Sequence, residues 1–156
     1  MRARGFTLIE LVITVAIVGL LATAAFPLAQ MASRRVKEQE LRVALRDIRE
    51  AIDRYKLAVD EGHVVQEVGQ TGYPPSLDVL AEGVEDAKSA ESTVIYFLRR
   101  VPRDPFFPDP TAPASATWGL RSYASPPDDP QPGDDVFDVY SLSSGTALAG
   151  VKYRDW

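Results

Sequence analysis

Gly5-Phe6-Thr7-Leu8-Ile9-Glu10 opens the stretch that decides how this chain is built, and Leu11 to Ala29 follow it without a charge. An acid at the doorway of an apolar helix needs a reason. At the centre of a bilayer a carboxylate costs about 2.5–3.5 kcal/mol on insertion scales, and less near the interface. The segment ahead, Met1-Arg2-Ala3-Arg4, is short and basic. From Phe6 to Phe26 the only polar residues are Thr7, Glu10, Thr14 and Thr23. At 1.5 Å per residue that stretch is about 32 Å long as a helix, close to a hydrocarbon core of ~30 Å. A transmembrane helix is expected over residues 6–27, with the arginines held in the cytoplasm by the positive-inside rule and the remainder of the chain on the far side.

Two plainer readings compete. A secretory signal peptide also has a basic start, and Ala22-Thr23-Ala24 offers a small-residue cleavage pattern. Its apolar core is usually ~7–15 residues, shorter than the stretch here, and Glu10 fits it poorly. An uncut membrane anchor is the other. The mature amino terminus separates the three: Phe6, a start near Ala25, or an intact Met1.

Beyond Pro27 the composition changes. Leu41, Leu45, Ile48, Ile52, Tyr55 and Val59 step by four and three, one stripe of an amphipathic helix. Charged residues, Glu38, Glu40, Arg42, Arg46, Asp47, Arg49, Glu50 and Arg54 among them, fill the other sides, with Glu38–Arg42 and Glu50–Arg54 at the favourable acid-first spacing. Gly62 is a plausible stop, so residues 28–62 read as a continuation of the membrane helix. The stripe is the expected seat of a globular part over residues 63–156.

That part is rich in proline, glycine and aspartate. Tyr73-Pro74-Pro75 opens a short helix capped by Ser76, and a second short helix is expected from Ser92 to Arg100. Thr117–Ala124, Val136–Leu142 and Ala147–Tyr153 read as strands of one small antiparallel sheet laid on the amphipathic helix. The fold class is therefore α+β. His63 stands alone in a loop and is expected to be solvated.

The chain has 156 residues, no cysteine and a net charge of −5. An acidic surface disfavours general nucleic-acid binding. No nucleophile and base can be assembled from one unsupported histidine and no thiol, so no enzyme is expected. Asp104, between two prolines, is read as bracing a turn.

The amino-terminal motif resembles the processing signal of the type IV pilin and pseudopilin superfamily. The resemblance implies cleavage after Gly5 by a membrane-embedded prepilin peptidase, methylation of the new amino terminus at Phe6, and guidance of assembly by Glu10. Loss of Arg2 and Arg4 would make the chain more acidic still. Gly72-Tyr73-Pro74-Pro75-Ser76-Leu77, Val101-Pro102-Arg103-Asp104-Pro105-Phe106 and Asp138-Val139-Tyr140-Ser141-Leu142 are similar to segments of the major pseudopilins of type II secretion, with Phe106 where those have tryptophan. The implied protein is a single-pass inner-membrane subunit with a periplasmic carboxyl-terminal domain. It would polymerise into a periplasmic pseudopilus with its own copies, other pseudopilins and an inner-membrane assembly platform. The alternative is a type IV pilin or minor pilin of a surface filament. The resemblance also implies calcium in an acidic carboxyl-terminal loop, but Ser143 to Gly150 has no carboxylate. Asp128, Asp129, Asp134, Asp135 and Asp155 are left as calcium candidates, with a solvated acidic loop as the plainer reading, and no cofactor is assigned.

Overall fold

In the computed structural model, which describes residues 6–156 and only the backbone at Ala24, one helix, α1, runs Leu8–Asp60. Two compact units divide the chain, Met1–Lys37 and Glu38–Trp156. In the first, the apolar side chains of α1 point outward without protein cover: Leu8 is 80% exposed and Leu20 73%. The helix continues through Pro27, whose ring supplies no N–H to the carbonyl of Thr23. The hydroxyls of Thr14 and Thr23 donate to the carbonyls of Leu11 and Leu20, at 2.8 and 2.7 Å. A hydroxyl satisfied within its own helix loses little in an apolar surrounding.

The second unit is built on the end of α1. Leu41, Leu45, Ile48, Ile52, Tyr55 and Val59 are buried as the stripe predicts, with Ala44, Ala51 and Ala58 between them. The small alanines widen the buried face and let loops approach the helix. The helix ends in a Schellman motif: Gly62 N–H donates to the Val59 carbonyl, and His63 N–H to that of Ala58. Gly62 takes φ 76°, the left-handed geometry that such a stop needs.

A short helix, α2, covers Val79–Glu82, and Ser76 Oγ accepts the Val79 N–H at 3.4 Å. Two antiparallel ladders follow. β1 (Val84–Glu85) pairs with β2 (Val94–Ile95), and β3 (Trp118–Arg121) pairs with β4 (Asp138–Ser141) in the register Trp118↔Ser141 and Leu120↔Val139. Trp118 and Val139 join the α1 stripe in a single core with Leu77, Leu80, Val136 and Tyr153. The result is an α+β fold.

Three expectations are corrected. Ser92–Arg100 is not helical; its start forms the β2 edge of a hairpin, entered through Ser92 at φ 50°. The β-branched and aromatic run Thr93-Val94-Ile95-Tyr96-Phe97 favours a strand over a helix. Ala147–Tyr153 adds no third strand. It folds on itself, with Ala147 N–H donating to the Val151 carbonyl and an isolated bridge between Thr146 and Lys152, before a 3-10 turn at Tyr153–Asp155. Instead of one three-stranded sheet, the described residues form two two-stranded sheets. His63 is not left to solvent alone: its Nδ1 lies 2.8 Å from Asp86 Oδ1, tying the helix end to the β1–β2 hairpin.

Long polar side chains fasten the loops to α1. Arg49 donates from Nε to Asp138 Oδ1 (2.8 Å) and from Nη2 to the carbonyls of Val139 (3.1 Å) and Trp156 (2.8 Å). Arg54 donates to the Phe97 carbonyl at 2.8 Å. Asp104 is buried, as a turn brace: its Oδ1 accepts the Phe106 N–H, its Oδ2 accepts the Ser141 hydroxyl, and its own N–H donates to Thr117 Oγ1.

Candidate processing and assembly site

Gly5 lies outside the described residues. Phe6 is 81% exposed and precedes the first turn of α1. Thr7 sets that start. Its Oγ1 accepts the backbone N–H of Glu10 at 3.3 Å, and its carbonyl accepts the Leu11 N–H at 3.2 Å. Thr7-Leu8-Ile9-Glu10 thus has the spacing of a capping box, a hydroxyl at the N-cap and an acid three residues on. The sequence signal for Thr7 was present in that spacing and was overshadowed by the acid itself.

Glu10 sits in the first turn of α1 and is exposed. A carboxylate there is favoured by the positive end of the helix dipole. Around it the exposed side chains are apolar: Ile9, Ile13 and Ile17 are each more than half exposed. The amino-terminal part of α1 has a mean hydropathy of 2.4 over its most apolar window, with none of that window buried. Its length and composition suit a membrane crossing.

The aspartates proposed for calcium do not come together. Asp134 and Asp135 border one cleft, beside Glu67, Thr71 and Tyr73. Asp128 and Asp155 border another, beside Arg49, Arg121 and Arg154. Both oxygens of Asp135 already accept protein donors, the Tyr123 N–H at 2.8 Å and the Thr71 hydroxyl. Asp129 Oδ1 accepts from Gln131 Nε2 at 3.0 Å. Among the described residues, no group of three or more carboxylate, imidazole or thiolate side chains is arranged to hold a metal ion.

Residues 1–26 match the family described as the prokaryotic N-terminal methylation motif. No curated protein and no solved structure matches the chain. The motif match, with the exposed apolar start of α1, supports a pilin-like, membrane-anchoring amino-terminal segment over residues 1–26.

Proposed function

We propose that this chain is a structural pseudopilin subunit, cut after Gly5 by prepilin peptidase, methylated at Phe6, and polymerised into the periplasmic pseudopilus of a type II secretion system. In this reading residues 1–5 are the leader, 6–27 the membrane helix, 28–62 its amphipathic continuation and 63–156 the periplasmic part. The methylation-motif match over residues 1–26 supports the processing and anchoring part of this reading; the secretion branch rests on the resemblance of the Gly72–Leu77, Val101–Phe106 and Asp138–Leu142 segments to major pseudopilins. The chain performs no bond chemistry; prepilin peptidase does the cutting.

The resemblance implies a pairing role for Glu10, and electrostatics gives it a physical reason. Cleavage creates an amine at Phe6, whose unperturbed pKa is about 7.7–8.0, so most of it is protonated at neutral pH. In a filament the Glu10 carboxylate of one subunit meets the Phe6 ammonium of its neighbour. In an apolar surrounding such a pair attracts strongly, and removal of either partner strands the other charge. The pair sets register between subunits whose facing surfaces are otherwise apolar and slippery.

The second reading is a pilin or minor pilin of a surface filament, since the motif is shared across the superfamily. The absence of cysteine and the acidic balance favour the secretion branch. Deletion of the chain separates them. Lost export of secreted enzymes with intact surface filaments supports the pseudopilin. Unimpaired export with lost twitching, adhesion or DNA uptake supports the pilin.

A further inference from the structure

The resemblance implies calcium at the carboxyl-terminal loop, so the polar groups of that loop decide whether a cation fits. Calcium takes six to eight oxygens, usually with several carboxylates. Ser143 to Gly150 supplies none, and two of its carbonyls, with that of Val151 next to it, are engaged by local N–H groups. The Ala147 carbonyl accepts the Gly150 N–H at 2.9 Å, the Val151 carbonyl accepts the Ala147 N–H at 2.7 Å, and the Gly145 carbonyl accepts the Tyr153 N–H at 3.1 Å. What the loop turns toward α1 is the opposite of a cation site. The Leu148 N–H donates to Glu38 Oε1 at 2.8 Å, and the Tyr153 hydroxyl donates to the same oxygen at 3.0 Å. Two donors converging on one point bind an anion and repel a metal ion.

We propose that Glu38 takes the structural place of the metal: its carboxylate is the ion that organises residues 143–153, and the loop needs no calcium. Glu38 is 6% exposed and Tyr153 2%. A carboxylate so buried is tolerated only with donors on it, and charge-assisted bonds are the strong ones. The phenol is pre-placed. Its ring stacks on Phe106 with centroids 4.1 Å apart and meets the Trp156 ring edge-on at 5.3 Å. Little side-chain freedom is therefore lost when the hydroxyl bonds to Glu38. Among the described residues no group of three or more acids is arranged as a substitute site: Asp135 is already occupied by Thr71 and Tyr123, and Asp128 and Asp155 share their cleft with three guanidinium groups. Glu38 is a positioning residue, fixed by folding of the helix on which it sits, so loop order follows folding and not ion activity.

Hydrogen exchange and thermal melting of the full chain in detergent micelles test this, with millimolar calcium or with EGTA. Wild-type exchange across residues 143–153 and Tm are expected to be the same in both. Glu38→Ala is expected to speed exchange at Leu148 and its neighbours by about tenfold or more, with calcium giving no rescue and the amides around Ile48 still protected. Glu38→Gln, which keeps an acceptor oxygen without the charge, is expected to fall between, and it carries the comparison if Glu38→Ala does not fold. A wild-type loop that loosens in EGTA, or a loop equally protected in the variants, overturns the proposal.

Discussion

Thr7 Oγ1 accepts the Glu10 backbone N–H at 3.3 Å, so the acid that the pseudopilin reading assigns to assembly also occupies the third position of a capping box. The two roles come apart by substitution. Thr7→Ala removes the cap and costs about 0.5–2 kcal/mol of local helix stability, a small part of the stability of a long helix. Glu10→Gln keeps the side-chain geometry and a residue type accepted in the box, but removes the charge. Filament assembly, read by cross-linking or microscopy, is expected to survive Thr7→Ala and fail in Glu10→Gln. Equal loss in both would reduce Glu10 to a capping residue.

Arg49 joins one turn of α1 to β4 and to the Trp156 carbonyl by three hydrogen bonds. Its side chain is 38% exposed, so water screens part of the Asp138 pairing. Arg49→Met is expected to lower unfolding stability by about 1–3 kcal/mol. Arg49→Lys should recover only part of that, because an ammonium cannot reproduce the planar fork. Urea denaturation of the three proteins checks the order.

Gly119 faces Tyr140 across the β3–β4 ladder, and a Cβ at residue 119 would stand 2.2 Å from the Tyr140 ring. Gly119→Ala is expected to cost about 1–3 kcal/mol through overpacking. Tyr140→Ala in the same chain should return much of the loss, a non-additivity that a double-mutant cycle measures. Additive costs would mean that the ring moves aside freely.

Asp86 is held below its ordinary value of 3.8, first by the Lys88 backbone N–H and then by His63. A carboxyl lowered by folding adds stability that is complete above its unfolded value and is lost as pH falls through its folded one. The acid limb of stability below pH 3.8 should therefore flatten in Asp86→Asn and flatten less in His63→Gln, since the amide is the larger cause. Denaturant midpoints from pH 5 downward read this out.

The helical stripe was legible because its partners are local: a period near 3.6 placed Leu41, Ile48 and Tyr55 on one face, and they are buried together. Glu38 was read with the solvated charges, and no local rule could have moved it. Its partners Leu148 and Tyr153 lie 110 and 115 residues away, and a buried acid is chosen by donors that only the tertiary fold brings near. The β1–β2 hairpin was misread for a different reason. Its strands have two residues each, too short to show alternation, so only the β-branched and aromatic content of the run from Thr93, not its periodicity, favoured a strand. Asp104 was read as a brace from its place in a proline-rich bend, where the following Pro105 keeps its backbone out of a helix, but its bond to Ser141 belonged to the fold. At the amino terminus the motif itself carried the reading, and the Thr7 cap was a physical detail it did not supply.

The mass of the mature amino-terminal peptide tests the central claim most directly. A peptide beginning at Phe6 and carrying one added methyl group is the predicted result. A chain beginning at Met1, or near Ala25, would contradict the account, since neither leaves a Phe6 amine for Glu10 to meet.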